Sequence, residues 1–530
     1  MTEFYTVKET KLFYPGAQYP PQTEIHRLAK YERGRKIFAG RHAEIYDRAS
    51  ALLRDTPHAA QLKTLFIAVN IVDVLVTKPA DLLVGERPTY NSGKGPKSTE
   101  QARIDSIVEE NDLNQMIHET TIGGGYRGDS FIKTRYGFRD DFTETLQLGL
   151  TVPPTKPEPI IETVDPSIVF PELARGSKKR FKAINIAWVE WEVERTSGVI
   201  SFIRGVPSTE TPYLNVERHI PGYIVYERYK LIENGVDASE DVAIPIYIVG
   251  EKVPTGREAD VVETGTAHLN VDHIPHKTTD DHWYGISTVE KMESVLSAIN
   301  DRLVQIDYIL WKHSDPTAYG PDIDDDGSDT VRVGGGKYIP LEKEDVTPGY
   351  MTWNSQLDGA FKELDYLLGL VYQMAETPQW LFGTTITADS GGTGTSHTDG
   401  AAIKARFMPI LKKVERIRTH VDRAVRNALW KAMVLENIAN KGVETFGSYE
   451  PVYPAIGWRD GIPRNEKEAA ETAQIRTGNK ATWSVTDAIK DLDGVTDAEA
   501  EETIRRIDED ETRVGGIADS MSADAVFNNG

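Results

Sequence analysis

The sequence has no cysteine among its 530 residues. This absence excludes disulfide bonds, thiolate zinc sites and thiol nucleophiles, and it is typical of a chain made in a reducing cytosol. Long apolar runs are also absent, because the most apolar stretch, residues 65–84, is interrupted by Asp73, Lys78, Pro79 and Asp81. We therefore expect no membrane span. The first residues lack the basic and apolar regions of a signal peptide.

Basic residues are in the minority. The chain has 82 acidic and 60 basic side chains and a formal net charge of -22. We therefore do not expect the whole surface to bind DNA tightly by neutralising phosphates, although a local basic face remains possible. The length is sufficient for a large core and for roughly two to four domains.

Two glycine-rich segments can be compared with phosphate-binding loops. Residues 386–397, ITADSGGTGTSH, have no lysine after the glycines and follow a helical pattern, so a Walker-type loop is not favoured. Gly123, Gly125 and Gly128 satisfy GxGxxG, but they follow a helical pattern and precede a strand, which reverses the order in a dinucleotide fold. We interpret the first segment as a flexible loop and the second as a chance match.

Metal and catalytic patterns are scarce. Asp322, Asp324, Asp326 and Gly327 imitate the first half of a calcium loop, but Val333 stands where a glutamate belongs, so an acidic turn is favoured. No HExxH or GxSxG motif is present. The histidine pairs are interpreted as packing or surface side chains: His273 with His276, and Asp281 with His282. The sequence therefore predicts no catalytic residue, no metal and no cofactor.

The first half of the chain carries mixed helix and strand signals. Helical spacing from Leu62 is punctuated at Pro79 and Gly85, and a second helical stretch runs from Glu100 to about Thr121. Alternating or β-branched runs predict four strands: SFIKTRY (130–136), AINIAWVEWEVE (183–194), GYIVYERYKLI (222–232) and IPIYIVG (244–250). Residues 151–159 and 253–260 are expected to be exposed connections.

Two long amphipathic helices follow. Ser287 and Glu290 have the spacing of a capping box, which predicts a helix beginning at Ser287, and apolar residues every three or four positions extend it to about His313. Helical spacing returns at residues 357–374 and stops at Thr377-Pro378. The strand signals VRV and YIPL between them predict a small β-containing tip on an antiparallel helix pair.

A third long helix, residues 398–438, has a basic polar face. Its charges are either paired within the chain or face a negatively charged partner, and the sequence leaves both open. The basic residues are Lys404, Arg406, Lys412, Lys413, Arg416, Arg418, Arg423 and Arg426. After this helix, SYEPVYPAIGW predicts a returning strand and residues 460–515 predict two or three short acidic helices. The last residues, 516–530, are expected to be disordered.

Four groups of residues occur in an informative order. They are Asn70-Ile71-Val72-Asp73 with Leu82-Leu83-Val84-Gly85-Glu86-Arg87-Pro88; Gly128-Asp129-Ser130-Phe131 with Val164-Asp165-Pro166; Gly285-Ile286-Ser287 with Glu290, Ile299-Asn300-Asp301 and Gln305; and Thr377-Pro378-Gln379-Trp380-Leu381-Phe382-Gly383 with Gly400-Ala401-Ala402-Ile403-Lys404. In this order the chain resembles the portal proteins of tailed bacteriophages over nearly its whole length. One departure is Asp399-Gly400, where the family has Ser-Gly.

The resemblance implies an α+β portal-type fold that assembles into a ring. Its parts would be a mixed α/β wing (1–286, rejoined by 440–459), stem helices (287–313 and 356–376), a clip (314–355), a tunnel-loop region (377–397), a long inner wing helix (398–438) and an α-helical crown (460–515). The implied partners are other copies in a dodecamer, double-stranded DNA, the terminase large subunit, a head-completion or adaptor protein, and the major capsid and scaffolding proteins, with no membrane. The implied location is the capsid vertex of the virion, after synthesis in the host cytoplasm.

The resemblance also assigns two sets of site residues. The DNA-facing tunnel loop would contain Thr385, Thr387, Asp389, Ser390, Thr393, Thr395, Ser396 and His397. The clip that docks the motor and the adaptor would contain Asp322, Asp324, Asp326 and Lys337. Neutral hydroxyls suit a loop that touches moving DNA, because each lysine contact would add affinity and slow translocation. The alternatives are another connector or capsid-assembly protein that never meets DNA, and a nucleotide-hydrolysing enzyme built on the glycine segments.

Overall fold

The computed structural model describes most of the chain. The described residues are 11–42, 69–313, 318–382 and 400–513, without 141, 143, 146–147, 153–154, 195–208, 239–241, 322–331, 334–335, 342–346, 351–356, 460–465, 479–480, 494 and 496–498. Within them the protein is α+β, as the sequence predicts.

The helices fall into an N-terminal group, a long pair, a single very long helix and a C-terminal group. In chain order they are α1 (Ile25–Phe38), α2 (Ile71–Val84), α3 (Thr99–Glu110), α4 (Leu113–Arg127), α5 (Glu293–His313), α6 (Leu357–Met374), α7 (Gly400–Ala439), α8 (Glu466–Thr477) and α9 (Val485–Asp493). Residues 499–513 are also helical. The long helices and the acidic C-terminal helices are confirmed.

The strands form four sheets within the described residues. They are β1 (Gln18–Tyr19), β2 (Thr89–Asn91), β3 (Asp129–Gly137), β4 (Glu158–Val164), β5 (Val169–Leu173), β6 (Phe181–Glu194), β7 (Thr209–Ile220), β8 (Tyr223–Asp237), β9 (Ile244–Val253), β10 (Val261–Glu263), β11 (Val271–Pro275), β12 (Ala318–Pro321), β13 (Arg332–Val333), β14 (Gly336–Leu341), β15 (Gly349–Tyr350) and β16 (Ala455–Gly457). The sheet orders are β1-β9-β8-β7-β6-β5 with β10 on β8, β11-β3-β4, β13-β14-β12-β15, and β16-β2.

The large sheet contains three of the four predicted strands, β6, β8 and β9, whereas the fourth, β3, lies in the three-stranded sheet. Its other strands, β1, β5, β7 and β10, were not predicted. Alternate residues of β6 to β9, such as Ala187, Leu214 and Val249, are buried in one apolar cluster, as period-two burial requires. Strand β7 was missed because it carries buried charges. Arg218 forms an ion pair with Glu172 of β5 at 3.0 Å. Buried charges need such partners, and because these come from other strands, the sequence of β7 alone does not show them.

Helix α7 is the centre of a second core. Its residues Ile410, Val414, Ile417 and Val421 are buried at helical spacing and share a cluster with residues of α2, α3, α4 and β3. The strand β16 returns to pair with β2, with Ile456 opposite Tyr90, which confirms the returning strand. Helix α7 thus joins the N-terminal helices to the three-stranded sheet.

The predicted helix from Glu100 to Thr121 is two helices. The chain breaks at Asn111 and Asp112, and Asp112 adopts φ 42° in the left-handed region. The side chain of Asn111 accepts a hydrogen bond from the backbone N–H of Ile161 at 2.9 Å and donates to the carbonyl of Pro159 at 3.2 Å. This long-range contact with β4 ends α3, so local periodicity gave no sign of it.

The predicted start of α5 at Ser287 is wrong by about one and a half turns, since the helix begins at Glu293. The Ser287 hydroxyl does accept a hydrogen bond from the N–H of Glu290 at 3.0 Å. However, the Glu290 carboxylate pairs with Lys30 of α1 at 2.6 Å rather than returning to Ser287. Half of the capping box is therefore present, and the other half is replaced by an ion pair that ties this turn to α1.

Helices α5 and α6 pack side by side and carry a small sheet. Arg302 of α5 pairs with Glu363 of α6 at 2.6 Å, and Leu296 and Val371 lie in one apolar cluster with residues of α1 and α2. Leu296 is near the start of α5 and Val371 is near the end of α6, which indicates an antiparallel pair. At the other end of α5, Leu310 is exposed. The sheet of β12 to β15 lies in the connection between the helices, where the β-containing tip is predicted.

Candidate functional site

The two sets of predicted site residues fall almost entirely outside the described residues. This applies to Thr385, Thr387, Asp389, Ser390, Thr393, Thr395, Ser396 and His397 of the tunnel loop, and to Asp322, Asp324 and Asp326 of the clip. Lys337 lies in β14 opposite Arg332 of β13. The elements on both sides of residues 383–399 are described, however. We call residues 375–382 and the part of α7 that contacts them the α6–α7 junction.

Helix α6 ends in a left-handed residue. Glu376 has φ 55°, a conformation that costs a non-glycine residue on the order of 1–3 kcal/mol. Thr377 follows, its hydroxyl donating to the carbonyl of Ala375 at 3.0 Å, and Pro378 has no N–H to continue the helix. The predicted end of the helix at Thr377-Pro378 is therefore confirmed. Glu376 ends the helix in the left-handed conformation, at a position where glycine is usual.

An ion pair holds this left-handed residue in place. Nη2 of Arg416 lies 2.8 and 2.9 Å from the two carboxylate oxygens of Glu376. Both side chains are about one-third exposed, so the pair contributes no more than about 1 kcal/mol to stability. Its main effect is geometric, because it fixes the start of residues 377–382 against α7.

A buried lysine lies directly beside this pair. Lys413 is 3% exposed, and its ammonium donates to the carbonyl of Ala375 at 3.0 Å. Burial lowers the pKa of Lys413 from 10.5 to about 7, against the opposing charge of Glu376 and with further lowering by Arg416 and Lys277. A helix C-terminus carries partial negative charge, so a cation at the last carbonyls of α6 is well placed.

The same ammonium reaches a third helix. Its second acceptor is the carbonyl of Leu75 in α2, at 3.5 Å. In an uninterrupted helix that carbonyl would accept the N–H four residues later, but the residue there is Pro79, which has no N–H. Pro79 lies inside α2 and does not end it, contrary to the predicted punctuation. Lys413 thus connects α2, α6 and α7 through backbone carbonyls that lack helical donors.

A buried histidine adjoins the lysine. The pKa of His276 is lowered to about 3 by burial and by the charges of Lys413, Arg416 and Lys277. Its Nε2 is hydrogen-bonded to the hydroxyl of Thr288 at 2.9 Å. His276 is therefore neutral at physiological pH, and it joins the chain just before α5 to the end of β11.

A buried aspartate organises the start of the long helix pair from the other side. Asp129 is 0% exposed and accepts three hydrogen bonds: from the hydroxyl of Tyr31 at 2.5 Å, from Nε2 of His273 at 2.5 Å and from the N–H of Gly285 at 2.7 Å. Three donors satisfy a carboxylate that would otherwise be very costly to bury. Asp129 and Gly285 belong to two separate motif groups of the sequence, and here they are in direct contact.

Two glycines make that contact possible. A Cβ on Gly285 would lie 2.1 Å from the carbonyl oxygen of Gly128, and a Cβ on Gly128 would lie 2.6 Å from the carbonyl oxygen of Gly285. Gly128 also has φ 104° and caps α4, a conformation that favours glycine. The two backbones can approach this closely only because neither residue has a side chain.

The third long helix uses its basic residues mainly within the chain. Lys412 pairs with Glu415 at 2.7 Å. Arg418 donates to the carbonyl of Arg459 at 2.9 Å, and Arg426 donates to the carbonyl of Pro454 at 2.7 Å. Together with the contacts of Lys413 and Arg416, they favour the alternative in which the basic residues of α7 are paired within the chain, for those whose side chains the structure describes. The side chains of Lys404 and Arg406 lie outside the description, and Arg423 is exposed.

The remaining sequence motifs have packing roles. Gly123 and Gly125 lie inside α4, and a Cβ on Gly125 would lie 2.5 Å from a methyl group of Val76. The interpretation of GxGxxG as a chance match is therefore supported by helix packing. His273 stacks on Phe131 at 4.8 Å and bonds Asp129, which confirms its interpretation as a packing histidine.

Sequence reasoning missed the role of Lys413, although a signal was present. Lys413 follows Ile410 by three positions and precedes Ile417 by four, so it lies on the apolar stripe of its helix and not on the polar face. Lys431 was also missed. It pairs with the buried Asp272 at 2.7 Å, and only the tertiary structure brings these two side chains together.

Comparison with known proteins gives no further assignment, since no family model and no curated protein matches the chain. In the described part of the chain, no helix is both long enough and apolar enough to cross a membrane. No cluster of three or more histidine, aspartate or glutamate side chains suited to a metal ion occurs among those same residues.

Proposed function

We propose that the protein is a portal protein, a non-enzymatic ring that forms a channel for double-stranded DNA at one capsid vertex. The observation that carries the proposal is the order of the long elements. The pair α5 and α6 bears a small sheet in its connection and leads through Thr377-Pro378 into the 40-residue helix α7. This order is that of stem, clip and inner helix in the family that the sequence resembles.

The incomplete burial of α6 supports a ring. Phe361 is 47% exposed, Tyr366 is 67% exposed and Met374 is 42% exposed, and Val371 alone is buried among the residues of this helix that the structure describes. A helix with apolar residues around most of its circumference needs more than one partner. A neighbouring copy of the chain supplies it, because each copy in a closed ring presents the same surfaces to its neighbours.

The support on both sides of residues 383–399 favours their role as a tunnel loop. On the N-terminal side Thr377 is 1% exposed, and Leu381 packs against the α7 core. On the C-terminal side the chain enters α7 at Gly400. A segment held at its start by buried residues and at its end by a long helix is well suited to project hydroxyl groups toward passing DNA.

Electron microscopy of the purified full-length protein tests the assembly. We expect closed rings with a central hole wide enough for duplex DNA. Tyr366→Glu should abolish the rings, because it places a charge on the apolar face of α6. Tyr223→Glu, which changes another exposed tyrosine on β8, is the control and should leave them intact. A compact particle without a hole would contradict the proposal.

Deleting residues 386–397 tests passage of DNA separately. We expect rings of unchanged size and a marked loss of DNA packaging or retention. The measurement is packaged DNA per particle with wild-type and deleted protein. Loss of ring formation would mean that the segment is structural. Intact rings with normal packaging would favour a connector that never meets DNA.

A further inference from the structure

A cleft lies beside α7, beginning about one helical turn beyond Arg416. Its volume is about 730 Å³, and it is bounded by the turn between β5 and β6, by β11 and by one face of α7. Clefts of roughly 300–1,000 Å³ are typical of sites for single small ligands. None of the roles described above uses this space.

The mouth of the cleft is positively charged. Lys179, Arg180 and Arg423 line it and are exposed, and no carboxylate of the described residues forms an ion pair with any of them. The pKa of His420 between them is lowered by burial and then by the charges of His273, Arg423 and Lys179. Most of the described cations on α7 are paired within the chain. Three cationic side chains without an ion pair around one cleft therefore favour the binding of an anion.

The floor is polar but already neutralised. Asp272 accepts hydrogen bonds from Lys431 at 2.7 Å and from the amide of Asn427 at 3.1 Å, and the carbonyl oxygen of that amide accepts one from the hydroxyl of Tyr453 at 2.9 Å. The carboxylate is paired with Lys431; burial raises its pKa, whereas the charges of Lys431 and of Arg423 act to lower it. One carboxylate therefore faces Lys431 and the three cations of the mouth, which leaves the mouth with net positive charge. The floor instead offers a fixed set of hydrogen-bonding groups.

The far end of the cleft is aromatic. Trp430 packs edge-on against His268 with ring centroids 5.1 Å apart, and it follows Arg423 by seven positions on α7. At 1.5 Å per residue, the Cα atoms of Arg423 and Trp430 are about 10 Å apart along the helix axis. A ligand that reaches both has an anionic end and a flat apolar end.

We propose that this cleft binds a nucleotide, with its phosphate at Lys179, Arg180 and Arg423 and its base against Trp430. Aromatic side chains next to cations are the usual platform for an unpaired base and its phosphate. An acidic peptide would use only the cations and leave the aromatic end unused. Duplex DNA keeps its bases stacked inside, so the ligand is either a free nucleotide or an unpaired nucleotide of a strand. The site does not depend on the proposed portal function.

Isothermal titration of the full-length assembled protein at low salt tests the site. The probes are dAMP, deoxyadenosine, inorganic phosphate, a 5′-phosphorylated hexadeoxyadenylate and octaglutamate. We expect saturable binding of dAMP or of the oligonucleotide, and binding of deoxyadenosine and of phosphate at least about tenfold weaker than that of dAMP. The tighter of the two nucleotide probes identifies the source of the ligand.

Two variants and a control locate the binding. Arg423→Gln should weaken nucleotide binding by about tenfold or more, because it removes a charge-assisted contact with phosphate. Trp430→Leu should weaken nucleotide binding and leave phosphate binding unchanged. Lys412→Gln removes an exposed cation of α7 outside the cleft and should change nothing. Equal nucleotide binding by Arg423→Gln and wild type, no saturable nucleotide binding, or binding of octaglutamate alone would overturn the proposal.

Discussion

Replacing Lys413 by methionine should remove a rise in stability between pH 7 and pH 9 that we expect of the wild-type protein. The folded protein holds this lysine with a pKa of about 7, against 10.5 ordinarily. Below pH 7 both states are protonated, and the cost of burying the charge is fully present. As the pH rises above about 7 the folded state loses the proton while the unfolded state keeps it, so stability increases until about pH 10.5.

The expected size follows from the width of that window. Between pH 7 and pH 9 the wild type should gain on the order of 2–3 kcal/mol relative to Lys413→Met, since each pH unit corresponds to about 1.4 kcal/mol. His276 also faces this site, and its pKa changes when the Lys413 charge is removed; burial, the largest cause of its lowered pKa, remains, so His276 stays neutral between pH 7 and pH 9 in both proteins. The measurement is the free energy of unfolding of both proteins at several pH values and one protein concentration.

Lys412→Met is the matched control for this experiment. Lys412 is the preceding residue of the same helix, and its side chain is 64% exposed. Its removal should leave the wild-type pH profile unchanged. Parallel profiles for Lys413→Met and wild type would mean that Lys413 is not held in the buried position between α2 and α6.

Replacing Gly285 by alanine should destabilise the protein by about 3 kcal/mol or more, because backbone atoms cannot yield as a flexible side chain does. The new Cβ would lie 2.1 Å from the carbonyl oxygen of Gly128 and 3.1 Å from the backbone nitrogen of His276. Separating the backbones would also stretch the hydrogen bond from Gly285 to Asp129. The measurement is the thermal unfolding midpoint of the purified variant.

Gly447→Ala is the control, since a Cβ there would have no neighbour within 4 Å. It should change stability by no more than about 0.5 kcal/mol. A midpoint for Gly285→Ala within about 2 °C of the wild type would show that the two glycine segments are not in contact in solution. If Gly285→Ala does not fold at all, Asp129→Asn keeps the shape of the side chain and should give a folded protein with a lower midpoint.

The sequence predicted those elements whose pattern is local. Period-two alternation identified β3, β6, β8 and β9, and helical spacing identified α5 to α7, although it placed the start of α5 at Ser287 and not at Glu293. What it missed depends on partners far along the chain. The break between α3 and α4 requires the contact of Asn111 with β4, and the late start of α5 accompanies the pairing of Glu290 with Lys30.

The candidate site was predictable in outline only. The Thr377-Pro378 boundary follows from the restriction that proline places on the residue before it. The roles of Lys413 and Arg416 do not, because a list of basic residues cannot distinguish a cation paired with Glu376 from one that faces solvent. The position of a basic residue relative to the apolar stripe of α7 indicates in part whether it is buried, and Lys413 lies on that stripe.

The ties between α1, α2 and the later helices also affect how the chain folds during synthesis. Lys30 meets Glu290 from 260 positions away, and Lys413 reaches the carbonyl of Leu75 from 338 positions away. Contacts between such distant residues form late, because large loops must close first. The N-terminal helices therefore leave the ribosome with their polar groups hydrated and with apolar faces that stay uncovered until α7 has been made. A ribosome stalled before residue 400 should therefore carry a nascent chain that exposes apolar surface and is prone to aggregate, however complete its large sheet.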